Sequence, residues 1–451
     1  MGGEEGHGDR RFVGWVLAIA AGGLAIRVVY ILAFRVRQLP LPFYDSLIFH
    51  LGANDLAHGR GFVDAFTGQP SAAHPPLYLL WLGAASFVSP GHSATPTTHM
   101  LWSSVLGVGT IVLCGLIGRE IAGRRVGLIA AAVAALYPNL WVNDGLLMSE
   151  PMAMLCVAGV LYTTYRFVHH PSGWRIAAVG VLCGLAALTR SELVLTVPLV
   201  LAAVALTARR APWSRRVRWL LIGGIVSVLV MAPWVAFNLS RFDKPVYLSA
   251  QLGGTVVAAN CPSTYYGRYI GFKDYRCQAT AAEQAARTRP GFDRLSAADR
   301  DAALGTIGNR YVRDHLTRLP VVVAARWGRI LGIYRPFQEV DAEHRDFELE
   351  RWAGFLLTAS FWVAAALSIV GVVGLHRRRE RVWPLLAFPV IVLASVALTF
   401  GQTRYRAPAE VSLVLLAAVG IDVLWRWYRN EPAVEAELGA PAPADEPALV
   451  S

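Results

Sequence analysis

The chain has 451 residues, 55% of them hydrophobic and only 16% charged, with a mean hydropathy of +0.43. That composition excludes a soluble or disordered chain, which needs far less apolar surface, and points to an all-α polytopic membrane protein. The net charge of +11 rests almost wholly on arginines in short connectors between apolar runs, where it sets orientation; nucleic acid is excluded as a partner on that ground.

In chain order, the first apolar run covers 12–34, and no small-residue cleavage site follows a short apolar region, so it reads as a retained anchor. The stretch PFYDSLIFHLGANDLAHGRGFVD follows it. Phe43 and Tyr44 are placed to anchor it at headgroup depth, and from Asp45 onward Leu47, Ile48 and Leu51 oppose Asn54, Asp55 and His58 at helical spacing, predicting an amphipathic helix. The apolar stretch PPLYLLWLGAASFV (75–88) is short for a crossing and reads as a re-entrant or interfacial helix. Further spans are expected at 97–118, 126–142, 150–167, 176–188, 193–207, 219–237, 352–375, 382–400 and 408–428, which with the first makes about ten transmembrane helices. Between the last groups lies one large loop, 238–351, with a polar helical stretch around SAADRDAALGTIGNRYVRDHL. Its end, PVVVAARWGRILGIYRPF, carries Arg326 and Arg329, which suit an interface-lying helix. The membrane-embedded domain is therefore 1–428, and the Pro-, Ala- and acid-rich 429–451 is a disordered cytoplasmic tail.

Charge decides sidedness. With ten crossings and a cytoplasmic N-terminus, the connectors REIAGRR, RFVHHPSGWR, ARRAPWSRRVRW and HRRRERVW all fall in the cytoplasm, whereas counting 75–88 as a crossing would move the whole set outside. The loops 35–96 and 238–351, with their juxtamembrane helices, then share the extracytoplasmic face of the plasma (inner) membrane, and both termini are cytoplasmic. Cys114, Cys156 and Cys183 lie in apolar runs as small hydrophobes. Cys261 and Cys277 flank NCPSTYYGRYIGFKDYRC; in an external loop they form a disulfide, the alternative being two free thiols. No internal repeat of the kind that builds many secondary transporters is present.

This topology collects Asp45, His74, Asp144, Glu150, Arg190, Glu192, Arg404 and Arg406 at outer span ends. Each has an ordinary interfacial reading. Asp45 before Ser-Leu-Ile-Phe is a good N-cap, Ser149 is placed to cap the helix that Pro151 begins, and the RYRAP arginines are placed to snorkel. Convergence on one face favours a site. A carboxylate can take the proton of an attacking hydroxyl, and arginine's planar fork suits a phosphate whose charge grows as it leaves. No ligand-spaced motif such as HExxH occurs, so no metal is expected.

In order, an acid after the first span, HPPLY, an arginine connector, SEP, GLAALTRSE and RYRAP resemble the membrane glycosyltransferases of the C superfamily, and within them the bacterial relatives of protein O-mannosyltransferases and the aminoarabinose lipid A transferase, of the family 39 type. The resemblance runs from residue 12 to about 428. It implies an inverting transfer of a sugar from a polyprenyl-phosphate donor to an acceptor hydroxyl outside the cytoplasm, with no cofactor. The arginine-rich, lysine-poor, alanine-rich usage suggests a GC-rich bacterial setting, in which mannose or arabinose is the expected donor sugar, and a cell-envelope glycan, a lipid or a protein is the expected acceptor. The resemblance places the catalytic first-loop acid on Asp45 and the second-loop acid on Glu150. Donor phosphate falls to Arg404, Arg406, Arg190 and His74, the last standing where the aminoarabinose enzymes have lysine. Tyr265, Tyr266, Asp144 and Tyr334 are the candidates for acceptor or sugar binding. The rival expectation is a transporter or flippase of a lipid-linked envelope precursor, in which the same acids are proton or substrate sites.

Overall fold

The computed structural model describes residues 2–38, 41, 45–208, 211–288, 291–292 and 295–431. The anchors expected at Phe43 and Tyr44, and the tail from 432 onward, lie outside them. Apolar sequence with no water to satisfy its backbone must be helical, and it is. Helix α1 (Gly2–Ala33) is followed by α2 (Asp45–Ala57), α3 (Pro76–Val88) and α4 (Pro96–Ala122). Gly123, at φ +88°, ends α4 and lets α5 (Arg124–Leu136) turn back against it. Pro138 then breaks the run that was expected as one span to 142: a short helix, Pro138–Trp141, and a 3-10 turn, Val142–Gly145, follow at a bend of 61°.

Beyond it come α6 (Glu150–His169) and α7 (Gly173–Ala187), then an irregular rod of 3-10, π and α turns from Ser191 to Leu206, and α8 (Trp213–Leu239). Ser149 precedes α6 without capping it through its side chain. The long connecting region holds α9 (Leu252–Ala259), α10 (Tyr275–Thr288), α11 (Ala297–Asp314), α12 (Leu319–Ile330) and α13 (Pro336–Phe347). Three apolar helices close the chain: α14 (Arg351–Arg377), α15 (Trp383–Leu398) and α16 (Ala407–Tyr428).

Among the described residues six helical stretches are long and apolar enough to cross a membrane, or seven if the bent pair after α4 is one span. The expected ten are all helical, but α7, the 191–206 rod and α15 are shorter than the roughly 20 residues that hydrocarbon requires. Helix α3 is a 13-residue helix whose Leu77 N–H reaches the Leu188 carbonyl at the end of α7. The stripe Asn54 and Asp55 of α2 turns inward rather than to solvent: Asn54 accepts from the Ser86 hydroxyl (2.7 Å) and the Ala94 amide (3.0 Å), pinning α2 to α3 and the start of α4. Arg326 and Arg329, expected at an interface, are buried in protein, where they donate to the carbonyls of Ala397, Ala259 and Ile270.

The helix ends sort by charge. At one end Asp422, fully buried, is met by Arg378 (2.6 Å), Arg125 (3.0 Å) and Arg426 (3.3 Å), and Asp9 by Arg119 and Arg124. The opposite end of α6 and α16 gathers the acids and bases singled out above.

Candidate active site

Five of the residues expected in the site meet. Asp45 opens α2, and Arg404, on the 3-10 turn Thr403–Arg406, stands 3.3 Å from its Oδ2. His74, just ahead of α3, brings Nε2 to 3.6 Å from Oδ1 and stacks its ring on Phe49, one turn along α2 from Asp45. The other arm of the Arg404 guanidinium lies 3.9 Å from Glu150 Oε1, which also accepts from Arg190 Nη1 at 2.9 Å. Arg404 therefore bridges the two carboxylates that the sequence nominates, and Arg190 and His74 flank them.

Their environments differ. Burial pushes the Asp45 carboxyl up, but the charges of His74, Arg404 and Lys273 outweigh it and hold the group well below the usual carboxylate range. Its side chain keeps 29% exposure, whereas that of Glu150 keeps 1%. Glu150 lines a narrow cavity with Asn143, Met148, Glu343, Phe347 and Arg404. Its Oε2 and the Nε of Arg404 are buried without a hydrogen-bond partner among the described residues. Unsatisfied groups of this kind are costly and mark a place where a ligand or water supplies the missing bond.

Aromatic faces fix the cations. Tyr405 lies under Arg190 (4.9 Å) and Arg404 (5.2 Å), and Phe347 lies under Arg404 (5.0 Å). Lys273, one of two lysines in the chain, was not singled out by sequence. It is buried between Phe347 (5.8 Å) and Phe400 (5.6 Å), donates to the Tyr275 hydroxyl (3.2 Å) and faces Asp346 (3.3 Å). The segment that carries it is closed by a Cys261–Cys277 disulfide. Its position beside that cysteine pair, in GFKDYRC, is the one signal that marked it.

The remaining candidates are placed elsewhere, each for a visible reason. Arg406 points away from Arg404: it donates to Glu410, to the Ile330 carbonyl (2.8 Å) and to Asn139 (3.0 Å), over the Phe361 ring at 3.6 Å. Asp144 is fully buried against Arg27 (2.7 Å), in space left by Gly107, where a Cβ would sit 2.5 Å from Arg27. Tyr265 is buried with its hydroxyl on Asn260 (2.9 Å). Tyr266 is exposed beside Arg318, and Tyr334 lies between Arg329 and Arg335. None of these touches Asp45 or Glu150.

Residues 73–237 match the family model of dolichyl-phosphate-mannose-protein mannosyltransferases. No curated protein sequence matches the chain. Among solved structures it is similar to the oligosaccharyltransferase AglB from Archaeoglobus fulgidus in complex with an inhibitory peptide and a dolichol-phosphate, with a TM-score of 0.53 at 16% identity, covering 95% of this chain and 52% of that one. The apo form of that enzyme gives 0.55 at 15% identity with the same coverage. ArnT from Cupriavidus metallidurans bound to undecaprenyl phosphate gives 0.44 at 16% identity over 90% of this chain and 78% of that one. The chain spans about half the length of the archaeal enzyme, and the likeness is one of fold.

Proposed function

We propose that this chain, whose fold is that of the C superfamily of membrane glycosyltransferases, is an inverting glycosyltransferase that moves a sugar from a polyprenyl phosphate to an acceptor hydroxyl on the extracytoplasmic side of the plasma membrane. The observation that carries this reading is the Arg404 guanidinium held between Asp45 and Glu150, with His74 and Arg190 at the flanks. The donor sugar is of the mannose or arabinose type, and the acceptor is an envelope glycan, lipid or protein. The positive-inside argument supports the sidedness, and the chemistry is assigned to side chains without a cofactor.

The acceptor oxygen attacks the anomeric carbon as the bond from that carbon to the phosphate oxygen breaks. The hydroxyl proton passes to Asp45, and the electron pair leaves on the polyprenyl phosphate. Arg404, Arg190 and His74 meet the charge that grows there; fixed cations in a partly dry site need no reorganisation as it grows. Glu150 Oε2 supplies an acceptor for the incoming hydroxyl and orients it.

Donor binding accounts for how a strongly acidic aspartate can serve as base. Held ionised by Arg404 and His74, Asp45 is a weak base. A donor phosphate competes for the same two cations, loosens their hold and makes the carboxylate more basic only when substrate is present.

The test is direct. Membranes holding the wild type or Asp45→Ala receive radiolabelled polyprenyl-phosphate mannose or arabinose. Transfer to acceptor with release of polyprenyl phosphate by the wild type alone supports the reading. Movement of the lipid-linked sugar across the bilayer with no bond broken assigns the chain to a carrier instead.

A further inference from the structure

Helix α13 presents Glu339, Glu343 and Phe347 at four-residue spacing, hence on one face, and that face rests on the turn that carries Arg404. Glu339 Oε1 accepts from the Thr403 amide at 3.1 Å, Glu343 Oε1 accepts from the Thr403 hydroxyl, and the Phe347 ring lies 5.0 Å from the Arg404 guanidinium. Both carboxylates are buried, at 2% and 6% exposure, one helical turn apart. Two like charges so placed repel strongly, and the cations around them offset this only in part. Arg329 of α12 is 3.8 Å from Glu339 Oε2, and neither that oxygen nor Arg329 Nη1 has a hydrogen-bond partner among the described residues. Lys273 faces both acids from the segment before α10, and Arg404 and Arg406 face Glu343 from the turn.

We infer that Glu339 and Glu343 are positioning residues for Arg404: they latch the Thr403–Arg406 turn to α13 and hold the guanidinium between Asp45 and Glu150. The inference rests on the donor-phosphate role given to Arg404 above. Burial, with the charge of Glu343 added, pushes Glu339 up to about 8. An unfolded glutamate releases its proton near 4.5. The latch is therefore complete below about 4.5, is maintained at neutral pH by the retained proton, and is lost as pH rises through about 8. Loss of that proton sets two buried anions against each other and frees the turn.

The experiment compares the wild type with Glu339→Gln, which keeps the oxygen that Thr403 needs and cannot ionise, and with Glu339→Leu, which removes it. Donor KM for polyprenyl-phosphate mannose and arabinose is measured from pH 6 to 9, beside hydrogen exchange of the 401–406 backbone corrected for intrinsic rate. In the wild type, donor KM rises and protection of 401–406 falls about tenfold between pH 7 and 9, as one buried titration requires. Glu339→Gln stays flat in both, and Glu339→Leu shows the high KM and low protection already at pH 7. A residue that only braced the fold would leave the two pH profiles of Glu339→Gln parallel to the wild type. That parallel, or unchanged KM and protection in Glu339→Leu, overturns the latch. Absence of transfer by the wild type from either donor would remove the enzymatic reading while the exchange data still decide the latch.

Discussion

Arg404 and Arg406 stand two residues apart on one 3-10 turn, and their partners assign them opposite roles. Arg404 faces two carboxylates of the candidate site and has an unbonded Nε, whereas Arg406 donates through Nε to Glu410, through Nη1 to the Ile330 carbonyl and through Nη2 to Asn139. Replacing Arg404 by glutamine should raise donor KM by about tenfold or more, the worth of a charge-assisted hydrogen bond, with a small change in melting temperature. Replacing Arg406 by glutamine should instead strand Glu410, 1% exposed, and cost about 3–5 kcal/mol of stability; lysine should not rescue it, since its point charge cannot reach three separate acceptors. Thermal unfolding in detergent beside initial rates separates the two. Residue types were legible in the sequence: acids and arginines at span ends do form the cluster. Which arginine of RYRAP turns inward was not, because a 3-10 turn sends neighbours two apart in different directions and sequence spacing says nothing of what each meets. Lys273 was hidden for the same reason, since it reaches the site through a folded loop rather than from a span end.

Packing between elements is decided by small residues. At the crossing of α14 and α16 a Cβ on Gly371 would stand 1.9 Å from the Leu416 carbonyl oxygen, and one on Gly420 would stand 2.2 Å from that of Leu367. Such contacts let two backbones approach where hydrocarbon gives no hydrophobic drive. Gly371→Ala should therefore lower stability by about 1–3 kcal/mol through overpacking. Gly224→Ala on α8, with nothing within 4 Å of its Cβ, should hold or raise it, the gain coming from helix propensity. Differential thermal unfolding of the pair checks this, and equal melting temperatures would show that the α14–α16 contact is not where the fold is tight. Element existence was readable from apolar runs, but among the described residues only six stretches, or seven with the bent pair, are long and apolar enough to cross a membrane. The breaks within the runs were less readable. Pro138 carried a signal in its own residue type, but the π and 3-10 turns between Ser191 and Leu206 follow from neighbours that single-sequence periodicity does not contain.

Over the whole molecule the two ends of the bundle carry different chemistry, and sidedness follows from which end faces the cytoplasm. The arginine-rich end is already internally paired through Asp422, Asp9, Glu120 and Glu380, so its surplus charge, not its pairing, is what the positive-inside rule reads. The proposed orientation puts Thr67, exposed on the segment between α2 and α3, outside the cell, and Arg379, exposed between α14 and α15, inside. The three unpaired cysteines are buried and need no removal before labelling. Thr67→Cys should then react with a membrane-impermeant maleimide on intact cells, and Arg379→Cys only after permeabilisation. The reverse pattern would put Asp45, His74, Glu150 and Arg404 in the cytosol. A donor flipped to the outer leaflet could not reach them there, and the arginine connectors would have to be explained as something other than an address. The outcome therefore bears on chemistry as well as topology, because both carboxylates and the guanidinium between them belong to the same end of the molecule.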